Sequence, residues 1–111
     1  MYTQMMEDNM RIIQVVGSVH FSPHIKTTKD GRQYVHFTIA TNPHEETPRP
    51  QFHIRVFDKE MMLMTMKLTK GTKICVTGEY RDSIAIVAGC LLISQQIIAS
   101  SIEFVQIKIN K

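Results

Sequence analysis

A chain of 111 residues, 43% hydrophobic and 21% charged, has the size and make-up of one ordinary globular domain, with no room for two independent cores. No apolar run approaches the roughly 20 residues that a helix needs to cross a bilayer, and the stretch 1–9 lacks the basic and apolar segments of a secretory signal, so a cytoplasmic protein without a membrane partner is expected. The net charge of +3 leans only slightly toward a polyanionic partner.

Residues 1–9 carry no periodicity and read as a flexible leader, which leaves 10–111 as a single domain. From Met10, the residues Ile12, Ile13, Val15, Val16 and Val19 read as a strand apolar on both faces, with Gly17 allowing a bulge or sharp bend. Ser22-Pro23 is expected to close that strand. Asp30-Gly31 is a strong hairpin-turn signal. Lys26, Lys29 and Arg32 around it are candidate phosphate contacts, although a solvated turn accounts for them equally well.

A second alternating strand runs from Tyr34 to Thr41. Val35, Phe37, Ile39 and Thr41 share one face; Tyr34, His36, Thr38 and Ala40 share the other. Three prolines in 42–50 require a loop. In the next strand, 51–57, Phe52, Ile54 and Val56 form an apolar row, and Gln51, His53, Arg55 and Phe57 form the opposite one. That second row offers positive charge for phosphates and π-faces for bases, although an ordinary solvated strand face has the same pattern.

Residues 59–68 hold good helix formers and no β-branched run, with Asp58 placed to cap the start and Gly71 to follow the end. Four methionines there point to a lid with adaptable packing rather than a cofactor box. Lys73 to Arg81 alternates again, with Ile74, Val76, Gly78 and Tyr80 on one side and Lys73, Cys75, Thr77, Glu79 and Arg81 on the other. Residues 82–89 fit a loop or an extended hairpin, and 91–109 fits one long strand or two. The order strand, strand, strand, helix, strand, strand implies an all-β fold: a five-stranded Greek-key OB-fold barrel with one short helix between strands three and four.

The motifs in that order resemble the bacterial single-stranded DNA-binding protein family, with the primosomal replication protein B group as second choice. The resemblance rests on Val15-Val16-Gly17-Ser18-Val19, Val35-His36-Phe37-Thr38-Ile39-Ala40-Thr41, Phe52-His53-Ile54-Arg55-Val56-Phe57-Asp58-Lys59, Leu68-Thr69-Lys70-Gly71, Ile74-Cys75-Val76-Thr77-Gly78 and Ile102-Glu103-Phe104. It implies sequence-tolerant binding of single-stranded DNA in replication, repair or recombination, and a nucleoid-associated location. Members of the family usually stack bases on tryptophans, of which this chain has none, and Gln51 stands where the strand-three tryptophan would be. The chain closes on Asn110-Lys111 rather than on the family's acidic tail, so recruitment of replication or primosome proteins through such a tail is not implied. The alternative is an OB-fold adaptor that binds mainly a protein partner.

The expected nucleic-acid site combines Tyr34, His36, Thr38, His53, Arg55 and Phe57 with Lys26, Lys29, Arg32, Lys73 and Arg81. No catalytic residue, metal site or cofactor is expected. The five histidines are scattered, Cys75 and Cys90 join no zinc-like spacing, and no triad or phosphate-loop pattern appears. Family members usually assemble through the first strand, and Ile12, Ile13, Val15 and Val16 fit an edge that pairs across a subunit boundary. A homodimer or homotetramer is therefore expected in light scattering, and a clean 12.8 kDa monomer at high concentration excludes that interface.

Overall fold

The computed structural model describes residues 11–41 and 51–105; the expected leader, the proline-rich loop and the chain beyond residue 105 lie outside them. The elements are β1 (Ile12–Thr27), β2 (Gln33–Ala40), β3 (Gln51–Val56), α1 (Lys59–Thr65), β4 (Lys73–Val87) and β5 (Cys90–Phe104). The five strands close into a barrel in the order β1-β2-β3-β5-β4, with β1 returning to β4. All pairings are antiparallel except β3 with β5, which is parallel. The expected all-β barrel with one short helix after the third strand is therefore present.

Period-two patterning decides what the barrel encloses. In β3, Phe52, Ile54 and Val56 are buried, whereas Gln51, His53 and Arg55 are half-exposed. Phe37 of β2 pairs with Ile54, and both are fully buried with Val35, Ile39, Ile74, Val76 and Ile97. The α1 helix adds Met61 and Met62 to this core. Its start is capped as expected, the Asp58 carboxylate accepting from Met61 N at 2.9 Å. It ends at Thr65 rather than at residue 68, yet Leu68 in the following turn is still buried. No helix among the described residues is long and apolar enough to cross a membrane.

Two expectations about β1 need correction. Ser22-Pro23 does not close β1, which runs on to Thr27 and slips register twice between Val19 and His24. Those irregularities let one strand pair with β4 over Ile12–Ser18 and with β2 over Ser18–Thr27, so that a proline lacking an N–H is accommodated in mid-strand. Close approach also explains Gly17: a Cβ there would stand 2.9 Å from the Ala40 carbonyl oxygen. Gly78 sits at the matching bulge of β4, where a Cβ would overlap the Ile98 carbonyl oxygen.

The second correction concerns the proposed edge. Val15 belongs to the core at 8% exposure and Ile13 packs against it, whereas Ile12 and Val16 face outward at 61% and 50%. Both rows of β1 are apolar, but only one faces away from the barrel, so the four side chains do not form a single surface. Of the two readings of 82–89, the extended hairpin holds: β4 and β5 stay paired out to Val87 and Cys90, turning at Ala88 and Gly89 with φ of 53° and 80°. The last strand is single and ends at Phe104.

Removing the Phe37 ring leaves a void at the centre of the core. Phe37→Ala is expected to cost about 3–5 kcal/mol in denaturant unfolding. A parent-like midpoint would mean that the ring does not point into the barrel.

Candidate nucleic-acid interface

The outer row of β3 is flanked by β2 on one side and β5 on the other, and β1 continues the surface beyond β2. His24 stands opposite His36, which stands opposite Arg55; Lys26 pairs with Tyr34, and Thr38 with His53. Residues distant in sequence thus meet on one curved face.

Three imidazoles lie at its centre. The His36 and His53 rings stack with centroids 5.2 Å apart, and one ring nitrogen donates to the other across 3.0 Å between His36 Nε2 and His53 Nδ1. His24 meets His36 edge-on at 5.3 Å. Burial, and then the positive charge of Lys26 and neighbouring groups, pushes His36 down to about 4; the same causes lower His53. Both rings are therefore neutral near pH 7 and present π-faces rather than charge. The Nδ1 of His36 is buried without a hydrogen-bond partner, so the charged ring would carry an N–H there with no acceptor. Among the described residues, no group of three or more His, Cys, Asp or Glu side chains converges as metal ligands.

Next to the imidazoles is a column of alternating charge and rings. The Arg32 guanidinium lies 4.4 Å from the Phe57 ring centre, Phe57 is tilted against Tyr34 at 5.1 Å, and the Arg55 guanidinium is 5.2 Å from Tyr34. This packing makes Tyr34 8% exposed, so its ring supports Phe57 and Arg55 instead of offering an open platform. Thr38 departs from expectation in the same way: at 2% exposure, its hydroxyl accepts from Phe21 N at the β1 bulge, 3.1 Å away.

The cations divide by their partners. Arg81 is held by Glu79 through Nε and Nη2, both at 3.2 Å, and Arg11 lies 3.6 Å from Asp82. Lys26, Lys29, Arg32 and Arg55 form no ion pair among the described residues. Lys29 is exposed in the β1–β2 turn, where the Thr28 hydroxyl donates to Asp30 and the Arg32 N–H donates to Thr28 Oγ1 at 3.0 Å. Lys73 stands opposite Ser18, which pairs with Ala40, at the other end of β2 from Tyr34. Four cations without an ion pair among the described residues thus lie near the rings, whereas Lys73 is set apart.

Two neighbours were not anticipated from sequence. Gln96 pairs with His53 and Ile98 with Arg55, extending the face onto β5 with an amide and an aliphatic side chain, both half-buried. Alternation around Ile97 places these residues outward, but nothing in the sequence announces that β5 lies parallel to β3.

The family model for the single-strand binding protein family matches residues 10–105. Among solved structures, the chain is similar to a small single-stranded DNA-binding protein from Streptomyces coelicolor, with 20% identity, a TM-score of 0.69, and coverage of 86% of this chain and 94% of that one. It is also similar to the mitochondrial single-stranded DNA binding protein Rim1 of S. cerevisiae, with 15% identity, a TM-score of 0.69, and coverage of 88% and 96%. A Plasmodium falciparum SSB solved in complex with ssDNA shares 23% identity at a TM-score of 0.68, with 92% of this chain and all 100% of that chain covered. At these identities the structural likenesses establish the fold. No curated protein gives a significant sequence match.

The imidazole pair generates a pH dependence with a definite sign. The unfolded chain protonates His36 near 6.5 and the folded chain only near 4, so the unfolded state binds more protons between these values. Stability is therefore expected to fall as pH drops through that window and to change little above it on this account. Thermal melts from about pH 7 to about pH 4 check this, and His36→Gln is expected to flatten the slope. An unaltered slope in the variant would show that His36 titrates alike in both states.

Proposed function

The chain belongs to the single-strand binding protein family, and on that premise we propose that it binds single-stranded DNA with little regard for sequence, in replication, repair or recombination. The observation that carries the reading is the column Arg32–Phe57–Tyr34–Arg55 beside neutral stacked imidazoles. A single strand presents phosphates at regular intervals and bases whose faces stack on any flat ring, so a site alternating cations with rings suits it without reading base edges.

In this reading Arg55, Lys26, Lys29 and Arg32 neutralise phosphates, and Phe57, His36 and His53 supply stacking surface. Tyr34 and Thr38 hold the others in place. Because neither imidazole is charged near neutrality, the electrostatic part of binding falls to the arginines and lysines. With no tryptophan in the chain, that part is a larger share of the affinity than ring stacking. The role is binding, with no chemical step assigned to any residue. We further propose a homo-oligomer formed through the outward row of β1, where Ile12 and Val16 are exposed.

Two substitutions separate the electrostatic and stacking contributions. Arg55→Ala is expected to weaken binding to a labelled oligothymidine and to flatten the salt dependence by about 0.7 in log–log slope, the loss of one phosphate contact. Phe57→Ala is expected to cost ~1–3 kcal/mol with the slope nearly unchanged. Anisotropy titrations at two salt concentrations, on variants shown by circular dichroism to be folded, make the comparison. Parent-like affinity in both variants would remove β3 from the site.

A further inference from the structure

The ring column does not end in open solvent. Beyond Arg32 and Phe57, the β1–β2 turn and α1 enclose an open groove of about 750 Å³. Ile25, Leu63 and Met66 line it and remain 51%, 72% and 42% exposed, so three apolar side chains from β1 and the helix region face solvent around one groove. Lys59 and Arg32 also border it, and neither forms an ion pair among the described residues. The neighbouring carboxylate of Asp58 is turned back to cap α1.

Continuity identifies the occupant. Arg32 and Phe57 are at once members of the ring column and walls of the groove, so a strand crossing the column is delivered to it. An apolar trough with unpaired cations at its rim matches a nucleotide, with an aromatic base below and a phosphate above. The Met66 thioether is polarisable and adaptable, which suits a base of any identity.

We propose that the groove between the β1–β2 turn and α1 is a nucleotide subsite. It takes the strand onward from Phe57, a base settling among Ile25, Leu63 and Met66 while Arg32 and Lys59 meet the flanking phosphates. The inference rests on the single-stranded DNA reading above and adds a direction to it: the bound strand leaves the β2–β3 face around the turn and toward the helix.

The test uses the full chain, a labelled oligothymidine at two salt concentrations, and two variants. Leu63→Gln/Met66→Gln removes the apolar floor without changing charge, and Lys59→Ala removes one rim cation from an exposed position. The double variant is expected to bind at least about fivefold more weakly with an unchanged salt slope. Lys59→Ala is expected to flatten the slope by about 0.7. Photocrosslinking of an iodouracil-substituted oligonucleotide is expected to label a peptide containing Leu63 or Met66, and if the double variant fails to fold, Lys59→Ala and the crosslink decide the matter. Parent-like binding in both variants, with crosslinks confined to β2 and β3 while Arg55→Ala still weakens binding, would overturn the subsite and leave the broader reading standing. A changed mass of the double variant in light scattering, with parent-like DNA affinity, would assign the groove to a second copy of the chain and overturn it too. A parent chain that fails to bind at low salt would remove both.

Discussion

Barrel closure depends on β1 serving two partners. The strand pairs with β4 over its first half and with β2 over its second, and the change of partner at Ser18 coincides with close backbone approach at Gly17 and slips in register just beyond. Without that bend the sheet would remain open, and the row of β2 that carries Tyr34, His36 and Thr38 would lose the strand that covers it. The Thr38 hydroxyl, engaged by Phe21 N within the irregular stretch, ties the bend directly to the candidate binding face. Closure of the barrel thus brings the candidate face together.

The face so formed separates two roles that a sequence reading merges. Histidine, arginine and lysine all count as basic residues, but burial among cations makes His36 and His53 neutral rings, while the guanidiniums keep their charge. Ion pairing sorts the cations again: Arg81 and Arg11 are neutralised by Glu79 and Asp82 on the β4 side, whereas Lys26, Lys29, Arg32 and Arg55 near the rings form no ion pair among the described residues. The net charge of +3 conveys none of this distribution.

Much of the fold was legible because strand alternation is a strict signal. Phe52, Ile54 and Val56 had to share a face, and they do; Asp58 had to cap the helix, and it does. Less legible was anything set by which strand lies next to which. Pro23 reads as a terminator by local chemistry, yet a bulge absorbs it because both flanks of β1 have partners. Ile13 and Val15 look like Ile12 and Val16, and only the closed barrel decides which pair is inside. Alternation places Tyr34 on the right face but cannot give its burial, since the residues that cover it, Phe57 and Arg55, come from a different strand and its exit. Gln96 and Ile98 were missed for the same reason: a parallel neighbour arrives from far along the chain.

The stacked guanidiniums also bear on how the free protein waits for its ligand. A long cationic side chain ordinarily loses rotamer freedom when a phosphate fixes it, a loss of roughly 0.5–1.5 kcal/mol for each immobilised side chain. Arg32 and Arg55 already rest on Phe57 and Tyr34, so part of that ordering is complete before any encounter. Lys26 and Lys29 have no such ring contact among the described residues and bear the whole cost on binding. Tyr34, too covered to receive a base, thus still serves the face by preorganising a cation, as Phe57 does for Arg32.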